Sequence, residues 1–340
     1  MLTELDHLPE GFMQARATEL YSILSGPTLI HLPGRRPEPL FVSILLHGNE
    51  DTGLLALQSL LHKYANQPLP RALSVFVGNV AAARHGLRRL DTQPDYNRVW
   101  PGAPDAPGGE HRLMQTVIDR MAARGVFASI DLHNNTGLNP HYACVNRLQH
   151  RFLHLALLFS RTVVYFTQPA GVQSAAFAAL CPAVTVECGK PGSASGVEHA
   201  AAFVEAALHL SGFPAHPVLH QDVDLFHTVA TVKIPEALKF SVGASGPGLS
   251  LVADIDHYNF RELPAGTLLG HYAAGPGVPV DVTDNDGKQR AERYFEVKNS
   301  QLLTRRPVMP AMLTRDERVI RQDCLCYLME RIDMAQVGDQ

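Results

Sequence analysis

His47-Gly48-Asn49-Glu50 follows directly on the apolar run LFVSILL. An imidazole and a carboxylate three residues apart on a tight turn can face one point, and Gly48 permits the turn. Alone, His47 reads as a hydrogen-bonded loop histidine. Asp131-Leu132-His133, at the end of a second apolar run, FASIDLH, changes that weighing because it offers a third donor. Two neutral imidazoles and one carboxylate, here His47, His133 and Glu50, form a donor set for one catalytic Zn2+ per chain, with a fourth position left for water. Such a metal acidifies water and polarises a carbonyl. Asp131 reads either as a strand-end cap or as the group that orients His133. Asn134 and Asn135 read as turn residues.

Two further groups carry charge in informative places. Arg84, Arg88 and Arg89 precede Asp95-Tyr96-Asn97-Arg98 in one stretch. Arginine captures carboxylates and polarises acyl oxygens, and asparagine adds an uncharged donor, so the stretch points to an anionic substrate. Glu187 ends the apolar run AVTVE. A carboxylate buried there suits a general base that takes a proton from water and delivers it to a leaving amine. Its neighbour Cys188 reads as a small buried filler, since no histidine is placed by the motif to activate it.

The elements that must position these residues alternate. LFVSILL, ALSVFVGNV, FASIDLH and AVTVECG read as strands, and LLALQSLLHKYA, HRLMQTVIDRMAA, FLHLALLFSR and VEHAAAFVEAALHL read as helices. Strands alternating with helices predict an α/β fold, a mostly parallel sheet covered on both faces, with ligands beyond the carboxyl ends of the strands. The pattern changes at SGFPAHPVLHQD. Beyond it come short β-like runs separated by Gly, Pro and Asn, and a helical pattern only at RDERVIRQDCLCYLMERI. We therefore expect a catalytic domain over residues 1–217 and a smaller β-rich domain over 218–340. PGAPDAPGGE, residues 101–110, reads as a surface loop.

Composition narrows the function classes. The 340 residues carry 29 Lys+Arg against 33 Asp+Glu, a formal charge of −4, and 46% are hydrophobic. A core is assured, and no basic surface remains for nucleic acid or anionic membrane. The segment MLTELDHLPEGFMQ lacks the basic region and apolar core of a signal peptide, and no run reaches the roughly 18 to 20 apolar residues of a membrane span. Five cysteines, mostly within apolar runs, fit reduced thiols, so the expected location is cytoplasmic. Nothing in these features opposes a homo-oligomer.

Taken in order, His47-Gly-Asn-Glu50-Asp-Thr-Gly53, Asn97-Arg98, Asp131-Leu-His133 and Glu187-Cys-Gly-Lys190 resemble the succinylglutamate desuccinylase/aspartoacylase family of zinc carboxypeptidase-like proteins. FRELPAGTLLG, residues 260–270, resembles part of the desuccinylase carboxy-terminal β domain. The resemblance implies a mixed, mostly parallel sheet flanked by helices, with a smaller β-rich domain partly covering the active site. It implies zinc on His47, Glu50 and His133, with Glu187 as catalytic base. Arg88 would polarise the scissile carbonyl, and Asn97 with Arg98 would hold a substrate carboxylate. The implied activity is hydrolysis of the amide of a small anionic N-acyl amino acid. A zinc carboxypeptidase acting on short peptides would share the metal and the base. A metal- or ligand-binding homologue without catalysis would have no need of Glu187.

Overall fold

The computed structural model describes residues 1–104, 108–273, 275 and 277–333. The chain divides into two compact units, one formed by Met1–Asn134 and His141–Leu225, the other by Asn135–Pro140 and Phe226–Ile332.

The first unit is an α/β sheet. Its strands are β1 (Thr3–Leu5), β2 (Thr28–Leu32), β3 (Leu40–Ile44), β4 (Leu73–Val77), β5 (Ala128–His133), β6 (Tyr142–Val145), β7 (Thr162–Tyr165) and β8 (Ala183–Glu187), in the order β1-β2-β4-β3-β5-β8-β6-β7. Strands β3, β4, β5 and β8 are buried at every position. A strand covered on both faces needs apolar side chains on both, which is why these segments read as unbroken apolar runs. All adjacent pairs within this set of four are parallel, so their carboxyl ends lie along one edge. The antiparallel pairs β2–β4 and β6–β8 make the sheet mixed.

The helices are α1 (Tyr21–Leu24), α2 (Thr52–Lys63), α3 (Val80–Ala83), α4 (Gly109–Ala123), α5 (His150–Leu157), α6 (Gln173–Phe177) and α7 (Ala194–His209). Helices α2 and α7 pack on each other, and α6 packs on β5 and β8. Phe41 of β3 stacks on Phe177 of α6 with ring centroids 4.3 Å apart. Trp100, fully buried, meets Phe177 and Phe76 edge-on. Ser43, two residues after Phe41, therefore faces the same side of the sheet as α6. In the proline- and glycine-rich stretch 101–110, residues 105–107 lie outside the described residues, and α4 begins at Gly109.

The second unit is β-rich. Strand β9 (Asp224–Lys233) leads into it, followed by β10 (Phe240–Val242), β11 (Leu249–Leu251), β12 (Leu268–Tyr272), β13 (Asp281–Asp284), α8 (Ala291–Tyr294), β14 (Phe295–Lys298), β15 (Gln301–Thr304), β16 (Met309–Ala311), α9 (Glu317–Gln322) and β17 (Cys326–Arg331). Strands β10-β11-β12-β15-β14 form a separate sheet. Strand β9 pairs antiparallel with β13 and β17, and β17 with β16. Val232, Val282, Leu302, Leu328 and the ring of Tyr294 belong to its core.

One segment departs from its helical pattern. Of residues 315–332, only Glu317–Gln322 is helical, capped by Asp316, which accepts from the amides of Arg318 and Val319. The chain leaves the helix at Asp323 and Cys326–Arg331 becomes a strand. Its apolar residues gain a full ladder on β9, and that pairing overrides the local period. Among the described residues, no helix is long and apolar enough to cross a membrane.

Candidate metal centre

The site is built at the carboxyl edge of β3, β5 and β8. Strand β3 ends at Ile44, and Leu45 takes a left-handed conformation, φ 53°, before the turn that holds His47 and Glu50. A bulky residue there is strained, a cost that fully buried Leu45 bears at the point where the chain must turn sharply. Gly48 has no positive φ. Its role is close approach, because a Cβ on it would lie 2.2 Å from the amide nitrogen of Ala83 in α3. The amide of Gly48 also donates to the carbonyl of Arg88 at 3.1 Å, fastening the turn to the arginine loop.

His47, Glu50 and His133 are all buried, and one candidate ligand atom from each can be chosen so that all lie within 4.8 Å of one another. Nδ1 of His47 is 2.8 Å from Oε1 of Glu50, and Nδ1 of His133 is 2.8 Å from Oε2. The far side of each ring meets a carboxylate. Nε2 of His47 lies 3.0 Å from Oδ1 of Asp95, and Nε2 of His133 lies 2.7 Å from Oδ2 of Asp131. A carboxylate accepts only, so without metal each ring can hold one proton on Nε2 and a second on Nδ1 toward Glu50. Once the Nδ1 proton is lost, the carboxylate behind keeps the other on Nε2 and leaves the Nδ1 lone pair facing into the cluster. Two neutral imidazoles so oriented, with one carboxylate, could hold a metal ion, and the chemistry of the set suits zinc.

The charges of this cluster are tightly balanced. Burial and nearby Arg88 push the His47 pKa down, but Glu50 and Asp95 outweigh them and leave it raised. Burial likewise opposes a charged His133, yet Asp131 and Glu50 lift it well above the ordinary value. Glu50 is held well below the carboxylate range, since His47 and His133 overcome the cost of burying it. Asp95 is lowered in the same way by His47 and Arg88 against its own burial.

Behind the cluster, Ser43 donates to Asp131 at 2.6 Å. The amide nitrogen of Asn134 donates to Glu50 at 3.1 Å, and its side chain donates to Thr52 and to the carbonyl of Gly189, both at 2.8 Å. Asn134 thus ties the ends of β3, β5 and β8 together, more than a turn residue does. Asn135 belongs to the second unit.

Glu187 is the register partner of His133 in the parallel pair β5–β8, so the two side chains leave the same face one strand apart, about 5 Å. It is buried, 8% exposed. Cys188 points to the other face, and burial with Glu187 nearby pushes its thiol well up, which fits a filler. All five cysteines are free.

In the arginine loop, Arg88 is buried and donates from Nε and Nη2 to Asp95 at 3.2 and 3.0 Å, with Nη1 3.7 Å from Glu50. Asn97 is buried against the cluster. Its Nδ2 lies 3.4 Å from Asp131 and 3.2 Å from Nε2 of His133, while its Oδ1 accepts from the amide of Gln173 at 2.9 Å. Its side chain therefore spends its bonds inside the protein. Arg98 is partly exposed and donates to the carbonyl of Asn97 at 2.8 Å. Arg84 lies over the ring of Tyr21 at 5.3 Å, and Arg89 bonds the carbonyl of Gln93 at 3.0 Å, so both serve other contacts.

Asp95 is the residue that reading from sequence passed over as a member of the site. The only local sign is its turn with Asn97, whose amide it accepts at 2.8 Å. Its bond to His47 spans 48 positions of sequence.

The family model for the succinylglutamate desuccinylase/aspartoacylase catalytic domain matches residues 40–210. No curated protein matches the sequence. Among solved structures, the chain is similar to the succinylglutamate desuccinylase from Chromobacterium violaceum, with TM-score 0.56 and 19% identity, covering 88% of this chain and 86% of that one. It is also similar to the succinylglutamate desuccinylase/aspartoacylase from Rhodobacter sphaeroides, with TM-score 0.58, 16% identity and coverage of 89% and 88%. Murine aminoacylase 3 is a third, with TM-score 0.57, 14% identity and coverage of 88% and 96%. At such identities the structures attest the fold, and the family match spans half the chain and the strand ends that carry the cluster. The chain belongs to the succinylglutamate desuccinylase/aspartoacylase family.

Proposed function

We propose that this protein is a zinc-dependent hydrolase that cleaves the amide bond of a small N-acyl amino acid. The observation that carries the reading is the sharing of one sheet face by Glu187 and His133, where His133 and His47 are each backed by a carboxylate of their own. His47, Glu50 and His133 would hold the metal. Zinc there supplies Lewis acidity, which acidifies water and polarises an amide carbonyl.

The protein's own groups do the rest. Glu187 takes the proton from the attacking water and passes it to the nitrogen of the departing amine as the C–N bond breaks. Arg88, fixed by Asp95, faces the charge that develops on the carbonyl oxygen. Arg98 receives the substrate carboxylate. Asn97 shares that role in the family resemblance, and here its buried amide supports the loop that presents Arg98 and steadies His133 and Asp131.

The test is release of free amine from a panel of N-acetyl and N-succinyl amino acids and dipeptides, with and without a chelator. Chelator-sensitive release from acyl amino acids is expected. Release from dipeptides alone would replace the reading with a carboxypeptidase, and no release with one zinc bound per chain would leave a binding protein.

A further inference from the structure

We infer that the amino acid released carries an uncharged side chain, held against a neutral wall made by Tyr142, Cys144 and Thr185. This rests on the proposed deacylase reading, in which Glu187 protonates the departing nitrogen. That nitrogen then lies at Glu187, and the adjoining carboxylate lies at Arg98. The backbone of Arg98 runs beside Gly171, two residues before α6, with its carbonyl 2.5 Å from where a Cβ on Gly171 would stand. The carbon between nitrogen and carboxylate is therefore placed between the end of β8 and the start of α6, and its side chain must meet what lines that space.

Register identifies the lining. In the antiparallel pair β6–β8, Tyr142 stands opposite Glu187 and Cys144 opposite Thr185, so all four leave the sheet on one face. That is the face α6 covers, since Thr185 donates to Ser174 of α6 at 2.9 Å. Beyond Cys144, Val164 of β7 is the register partner on the same face. The enclosing segments YACV, TVVY, QSAAF and AVTVE contain one charged residue among them, Glu187 itself, and Asp131, the register partner of Thr185 on β5, is engaged by Ser43 and His133. Cys144 is a partly exposed residue, and burial, with the Glu187 carboxylate adding to it, pushes its thiol well up.

A second carboxylate or an ammonium on the side chain would be desolvated on this wall without a partner, whereas a methyl, hydroxymethyl or isopropyl group would meet atoms of its own kind. Discrimination of roughly tenfold or more in kcat/KM is expected against charged side chains.

The experiment uses the full chain loaded with zinc and N-acetyl derivatives of glycine, alanine, serine, valine, aspartate, glutamate and lysine. Binding of the corresponding free amino acids is measured in parallel by calorimetry, which reads the wall even where no derivative is turned over. We expect alanine, serine and valine to exceed aspartate, glutamate and lysine in both measurements. Equal or better handling of any charged member overturns the inference and leaves the deacylase reading intact. Absence of turnover across the panel, with neutral amino acids still bound preferentially, overturns the reading and retains the wall. Cys144→Leu should depress valine relative to glycine, and Cys144→Ala should raise it. Equal effects on both would remove Cys144 from the wall.

Discussion

Glu187 and His133 end adjacent parallel strands, and their shared face follows from pairing alone. If Glu187 moves the proton, Glu187→Gln should retain one zinc per chain and lose about 100-fold to 10,000-fold in kcat. Loss of metal with activity would place Glu187 among the ligands instead. The two supporting carboxylates make a separate prediction. Asp95→Asn and Asp131→Asn each replace the carboxylate that fixes an Nε2 proton with a neutral amide that can also donate, and zinc affinity should fall about 10-fold to 100-fold in a competition titration. Unchanged affinity in both would show that Nδ1 is oriented by something else. The three candidate metal donors could be read from sequence because they follow the ends of apolar runs. Asp95 could not, because its partner lies 48 residues away and no spacing rule links them.

The turn between β3 and α2 works through contact between backbones. Gly48→Ala would drive a Cβ into the backbone of α3 at Ala82 and Ala83, and neither can yield as a side chain could. We expect a loss of about 1–3 kcal/mol in denaturant unfolding together with weakened metal binding, since His47 and Glu50 flank the displaced residue. A stable variant with full zinc affinity would show that the turn can move without the cluster. Legibility of the elements followed burial. Strands β3, β4, β5 and β8 are covered on both faces and announce themselves as apolar runs, whereas β6 and β7 have four residues each, too few for a period to emerge. Residues 326–331 failed the other way, because their apolar positions fit a helix locally and only the pairing with β9 decides for a strand. The wall opposite Glu187 was invisible for the same reason as β6, which supplies it.

At the scale of the whole molecule, the cluster links metal, protons and stability. Without metal, His133 and His47 have raised pKa values, so their charged forms stabilise the fold fully below the unfolded value of about 6.5, and that stabilisation fades as pH rises through the folded values. Glu50 and Asp95 are lowered, so their contribution is present above about 4 and fades only as pH falls through their folded values. The metal-free protein should thus lose stability from this cluster on the alkaline side. Zinc needs neutral imidazoles and must displace those protons, so its affinity should rise over the same range. The two trends oppose each other. Stabilisation by zinc at 100 times its dissociation constant is about 2.7 kcal/mol, and at fixed free zinc it should grow from pH 6 to pH 8. Denaturant unfolding at those two pH values, with buffered zinc and with chelator, measures the difference directly. A zinc increment that is flat or that shrinks with rising pH would mean that His47 and His133 are already neutral in the metal-free fold, and that the paired carboxylates orient them without holding the extra protons.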